Sequence, residues 1–140
     1  MINHFKNEYA FLSNFTPSPI SDEFGTYPTV EHYFQSKKAT NKEDFLSIIN
    51  APTPAAAKQL GKRIQLRPDW EEIKDQVMLE ELREKFSILE FKILLLFTGQ
   101  EEIAEENYWH DTYWGICNGK GQNKLGKLLM QVREEIKDSN

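Results

Sequence analysis

The sequence predicts an α+β fold, predominantly helical, in one domain spanning residues 1–140, with a small N-terminal strand and hairpin unit. Three observations carry this. A length of 140 residues with 39% hydrophobic content suits one core. Pro17, Pro19 and the cluster Asp22-Glu23-Phe24-Gly25 keep the N-terminal third in short extended segments and turns. Beyond Pro28, apolar residues recur at near-helical spacing between residues that cap or break helices.

Phe5 to Phe15 is aromatic-rich and reads as extended chain and turns, and residues 22–25 form a hairpin tip. Thr29 caps a helix predicted from Val30 to Thr40, and Asn41 caps one over KEDFLSIIN that Pro52 stops. Thr53-Pro54 opens AAAKQLGK, ended by Gly61. Pro68 at a first helical position starts DWEEIKDQVMLEELREKFS, with Trp70, Ile73, Val77, Leu82 and Phe86 as its apolar stripe. Ile88 to Thr98 reads as a buried helix ended at Gly99, too short to span a bilayer. Residues 100–110 fit a short helix or a strand. The last helix runs from about Asn123 to Lys137, with Leu125, Leu128, Leu129 and Val132 facing inward.

One cysteine, Cys117, leaves no internal disulfide, and the N-terminus lacks the apolar run of a signal peptide, so a soluble protein in a reducing, cytoplasmic compartment is expected, with no membrane partner. A net charge of −5 argues against a protein held on nucleic acid by its overall field. The charge is uneven, however: residues 32–67 carry seven Lys/Arg against two acids, and residues 69–111 carry four against thirteen. Such a basic stretch suits an anionic small molecule or a local contact with a strand.

The densest concentration of chemistry is WHDTYWGICNGKGQN, residues 109–123, which has neither helical nor strand period and leads into a helix. Its aromatic rings, small residues and one carboxylate fit a pocket for a flat ring joined to a phosphate-bearing sugar. Trp114 beside Gly115 would form a wall. Gly119 and Gly121 let backbone approach a ligand, and Asn118 and Asn123 add amide groups. The plainer alternative is a turn with Asn123 as helix N-cap.

The second concentration is YPTVEHYFQSKKA, where Glu31, Gln35 and Lys38 fall at i, i+4 and i+7 of one helical face beside Tyr33. On an ordinary helix Glu31 and Lys38 would be solvated charge. An acid, an amide and an amine in line suggest chemistry instead, because a lysine whose pKa is lowered from about 10.4 becomes a nucleophile toward carbonyl-like carbon. Glu31 and Asp111, if folding joins them at one bond, would divide the work of protonating a leaving nitrogen and activating water or stabilising positive charge on a sugar. Trp70, near its helix start, either packs or stacks on a ligand. His4, His32, His110 and Cys117 lack metal-ligand spacing, so no metal is expected.

FLSNFTPSPI, YPTVEHYFQSKKA, LRPDW, KF, LLLFTG and DTYWGICNGKGQNKLGKLLMQVR, in that order over nearly the whole chain, resemble the NADAR family, also called YbiA-like proteins. The resemblance implies an N-glycosidase that uses no cofactor and cleaves the bond between a ribose anomeric carbon and an exocyclic amine of a guanine-like base. It implies Lys38 as Schiff-base nucleophile, with adjacent Lys37 the alternative by one residue, and Glu31 and Asp111 in proton transfer. It further implies Trp70 at the substrate, with Ser13, Asn14 and Phe15 of the SNF turn and Gly119, Gly121 and Asn123 of the glycine-rich loop around the sugar and phosphates. This chain departs in carrying only Ile116 and Cys117 between the WG pair and Asn118, which shortens the loop. The expected substrate is ADP-ribose on guanine in DNA or RNA. The alternatives are ribosylaminopyrimidine phosphates of riboflavin biosynthesis, or a non-catalytic ADP-ribose-binding module.

Overall fold

The computed structural model describes residues 1–139 and shows an α+β chain dominated by helix. Its contacts gather into two compact units, one formed by Asn14–Lys85 and the other by residues 1–13 with the chain from Phe86 onward.

In the Asn14–Lys85 unit, β1 (Ile20–Asp22) pairs antiparallel with β2 (Gly25–Tyr27), in the register Ile20↔Tyr27. The hairpin tip falls at Glu23-Phe24, as the sequence predicts. The Asp22 carboxylate braces it by accepting the Phe24 N–H at 2.9 Å and the Tyr27 hydroxyl at 2.9 and 3.0 Å. Four helices follow: α1 (Val30–Ser36), α2 (Lys42–Ile49), α3 (Pro54–Arg63) and α4 (Trp70–Lys85). The predicted caps are present. Thr29, Asn41 and Thr53 each accept the N–H three residues on, at 3.1, 2.8 and 3.0 Å, which satisfies one otherwise orphaned donor per helix.

Helix α1 packs against α2, α3 and α4, and all its residues but Tyr33 are buried. A buried polar side chain there needs internal partners. His32 finds them in Thr29 Oγ1 at 2.8 Å and the Ala51 carbonyl at 3.0 Å, so it is a structural histidine. Ile48, Ala51 and Ala57 form a core cluster between α2 and α3, extended by Ala56, Leu60 and Ile64.

In the other unit, Asn7–Leu12 forms a 3-10 helix rather than extended chain. Helix α5 (Leu89–Leu96) packs on this helix and on α6 (Lys124–Asp138), whose Leu125, Leu129 and Val132 are buried. Residues 100–110 supply a strand, β3 (Glu106–Asn107), paired in parallel with β4 (Ile116–Cys117). Buried Arg133 donates to Thr98 Oγ1 at 2.9 Å and ties α6 to the end of α5.

Three boundaries and the burial of one helix differ from the sequence reading. Helix α1 stops at Ser36 instead of Thr40, because tighter bonds from Lys38 N–H to Gln35 and from Ala39 N–H to Ser36 replace the helical ladder, while the Lys38 carbonyl accepts from Arg67 N–H at 3.0 Å. Helix α3 continues through Gly61 to Arg63, since this buried glycine serves packing rather than termination. Helix α4 begins at Trp70 after a turn at Pro68-Asp69 and ends at Lys85. Finally, α5 is not a buried helix: Leu89, Ile93 and Phe97 are 67%, 41% and 84% exposed, and Leu95 is its buried residue.

Candidate active site

Within Asn14–Lys85 the fold assembles Glu31, Gln35, Lys38 and Trp70. Glu31 and Gln35 are one turn apart on α1 and both buried, and Gln35 Nε2 donates to Glu31 Oε2 at 2.6 Å. Lys38 lies just past the helix end, so the predicted continuous helical face does not exist, yet the tight turn still returns its ammonium toward the same neighbourhood. Its Nζ lies 5.8 Å from the Phe34 ring centroid and 5.7 Å from that of Trp70. These two rings meet edge-on at 5.0 Å, and Trp70 is buried as the first residue of α4. The indole therefore packs in the core and also lines the surroundings of the lysine.

Burial lowers the pKa of Lys38, because little water remains to solvate the ammonium. Glu31 opposes this shift, whereas Lys58, Lys62 and Lys74 reinforce it by cationic repulsion. Of these, Lys74 is itself paired with Glu71 at 2.6 Å. Lys58 and Lys62 stand one turn apart on α3, a spacing visible in the sequence whose significance depends on where α3 packs.

Gly61 is the other residue that the sequence reading missed. A Cβ at position 61 would overlap the side-chain oxygen of Gln35, so glycine makes room for the amide that grips Glu31. Asn14 approaches the same carboxylate-bearing residue through its backbone, its carbonyl accepting the Glu31 N–H at 3.1 Å. Among the described residues, Asn14 Oδ1 and Gln35 Oε1 are buried acceptors without a hydrogen-bond donor, as is Ser18 Oγ. Such orphaned acceptors are uncommon in native proteins.

Other predicted residues are placed differently. Tyr33 faces Lys37, not Lys38: the Lys37 ammonium lies 4.8 Å from the Tyr33 centroid and within 5.6–5.9 Å of Tyr27, Phe24 and Phe45. Burial and the nearby acids Glu81 and Glu80 push the Tyr33 hydroxyl up to about 12. Phe15 is 41% exposed, and Ser13 ends the 3-10 helix by donating its N–H to Ala10.

The remaining predicted residues come together in the second unit, in the loop before α6. Asp111 Oδ1 accepts the N–H groups of Tyr113 and Trp114 at 3.1 and 2.9 Å, folding the aromatic segment into a turn. Asn118 and Gly119, with φ of 53° and 76°, form a two-residue hairpin closed by reciprocal Cys117–Lys120 bonds of 2.8 and 3.0 Å. Gly121 is required because a Cβ there would strike the Gly115 carbonyl.

Asn123 sits at the cap position but does not cap; its side chain donates to Ile103 at 3.0 Å and accepts from Glu105 at 3.1 Å. The N–H groups of Lys124 and Leu125 donate to the Tyr113 and Trp114 carbonyls, so the start of α6 spends these donors on the loop instead of offering them to an anion.

Comparisons with known proteins agree with this architecture. Residues 2–137 match the NADAR domain. The chain is 40% identical to N-glycosidase YbiA of Shigella flexneri over 134 residues, covering 93% of this chain and 83% of that protein. It is 35% identical to a riboflavin biosynthesis protein of Vibrio vulnificus, covering 93% of this chain and 36% of that longer protein. The NMR structure of the E. coli protein YbiA superposes with a TM-score of 0.86 at 37% identity, over 99% of this chain and 86% of that one. With the family pattern running through both compact units, the chain belongs to the NADAR domain family.

Proposed function

We propose that the protein is an N-glycosidase that hydrolyses the bond between a ribose anomeric carbon and an exocyclic amine of a guanine-like base, with Lys38 as nucleophile. The observation that carries this reading is the Lys38 environment. A lysine depressed by burial, beside Glu31 and over the rings of Phe34 and Trp70, is equipped to act as a neutral amine near a proton-transfer group. The names of the YbiA relatives support the reaction class.

A ribosylamine opens its sugar ring when the ring oxygen takes a proton, leaving a protonated imine at the anomeric carbon. Neutral Lys38 Nζ adds to that carbon. Proton transfer through Glu31 then lets the base depart as a free amine, and the new C=N bond to Nζ is hydrolysed by water to release the sugar aldehyde and regenerate the lysine. Gln35 holds the Glu31 carboxylate in place. In the other unit, Asp111 Oδ1 shapes the aromatic loop.

The substrate favoured here is ADP-ribose on guanine in nucleic acid, because a diphosphate and neighbouring strand phosphates suit the Lys/Arg content of residues 32–67. A ribosylaminopyrimidine phosphate is the second reading, favoured by the riboflavin biosynthesis name of one relative. Turnover of both substrates, followed side by side by mass spectrometry with borohydride in parallel samples, tests the assignment. Release of either sugar with a reduced adduct on Lys38 is expected. Binding of ADP-ribose without cleavage of either substrate would replace the enzyme by a binding module.

A further inference from the structure

Lys37 and Lys38 are consecutive, yet their ammonium groups lie over different aromatic rings, and the Lys37 side opens on a groove unused by the proposed chemistry. This groove, of about 520 Å³, is lined by Phe24, Phe45, Lys37, Asn41, Lys42 and Arg67 among others, and among the described residues no carboxylate lines it. Phe24 is 61% exposed and meets Phe45 edge-on at 6.4 Å, leaving an apolar ring face in water beside cations. Two lysines give the groove its net charge, since Arg67 is paired with Asp69 at 2.6 Å. Glu81, which feels the Lys37 charge, is pushed up to about 8 by burial, and the Asp22 carboxylate is engaged by the hydroxyl of Tyr27, whose ring lies under the same ammonium.

An exposed aromatic face flanked by lysines in an open groove is the chemistry that binds single-stranded nucleic acid: bases stack and phosphates meet cations, without sequence readout. A free diphosphate would use the cations and leave the Phe24 ring idle. An acidic peptide would equally leave it without a flat partner.

We infer that the Phe24–Phe45–Lys37–Lys42 groove binds a nucleotide flanking the modified one in a single strand, its base stacked on Phe24 and its phosphate held by Lys42. The groove borders the segment that carries Lys38, whose carbonyl accepts the Arg67 N–H at 3.0 Å. A strand seated there would continue toward the lysine. The inference extends the nucleic-acid branch of the proposed function, and its test does not depend on turnover.

The test is fluorescence anisotropy of the full chain with a labelled, unmodified single-stranded pentanucleotide. Phe24→Ala is expected to weaken binding by about fivefold or more and leave the salt dependence unchanged, whereas Phe24→Trp retains the affinity. Lys42→Gln is expected to reduce the slope of log affinity against log salt by about 0.7, one phosphate contact on a single strand. Equal affinity in all variants would overturn the inference. So would displacement of the probe by polyglutamate as effectively as by unlabelled strand, because the groove would then read charge alone. ADP-ribosyl-guanosine, which has no flanking nucleotide, separates the two readings: absence of its turnover by wild type refutes that activity and leaves the groove result standing, whereas turnover together with equal strand affinity in all variants refutes the groove alone.

Discussion

At the scale of single residues, Lys38 and Gly61 make the sharpest predictions. Lys38→Ala should abolish turnover and the borohydride adduct while leaving the thermal melt within a few degrees of wild type; normal turnover by this variant would remove the Schiff-base step. Gly61→Ala should collide with Gln35 and destabilise the protein by about 1–3 kcal/mol, the range for overpacking. It should also lower kcat, because Gln35 can no longer hold Glu31. The double variant Gly61→Ala, Gln35→Ala should recover stability but not kcat, and additive losses in a urea melt would contradict the packing argument. The proximity of Lys38 to Glu31 was legible from motif spacing. The packing role of Gly61 was not, because a glycine ten residues after Ala51 reads locally as a stop signal, and that role depends on a side chain from another helix.

Among the elements, α3 was legible in its Thr53 cap and Pro54 start, and the same reading placed its end two residues early. Helix α1 was overextended because nothing local in Lys37-Lys38-Ala39 opposes helix; the chain turns where a tertiary bond from Arg67 competes. The hairpin at Asn118-Gly119 carried a local signature, whereas the use of Asn123 as a tie to residues 103–105 did not. The placement of α3 has a functional consequence. Lys58 and Lys62 both lower the pKa of Lys38, and kcat/KM should rise with pH as Lys38 loses its proton below the usual lysine range. Lys58→Gln with Lys62→Gln removes that repulsion, so the rising limb should move to higher pH. A limb at unchanged pH would mean that burial alone sets the nucleophile.

For the whole molecule, the sequence conveyed composition and charge but not which charges the fold would bury. Helix α4 hides Glu81, 1% exposed, and Lys85, 0% exposed, neither of which belongs to its predicted apolar stripe. Burial, aided by Glu84, pushes Glu81 from 4.5 up to about 8, and burial brings Lys85 from 10.5 down to about 7. Between pH 4.5 and 8 the unfolded chain has lost the Glu81 proton that the folded chain keeps, so stability falls as pH rises through this window. Between pH 7 and 10.5 the unfolded chain holds the Lys85 proton that the folded chain has released, so that contribution rises with pH. The two together place a stability minimum near pH 7–8, with a change on the order of a few kcal/mol across the acidic limb. Glu81→Gln should erase the decline between pH 5 and 8 while keeping the rise above it, and Lys85→Met should do the converse. Urea midpoints at unit steps from pH 5 to 10 read both limbs; a wild-type profile that does not fall between pH 5 and 7 and superimposes on that of Glu81→Gln would show that Glu81 is ionised in the folded protein.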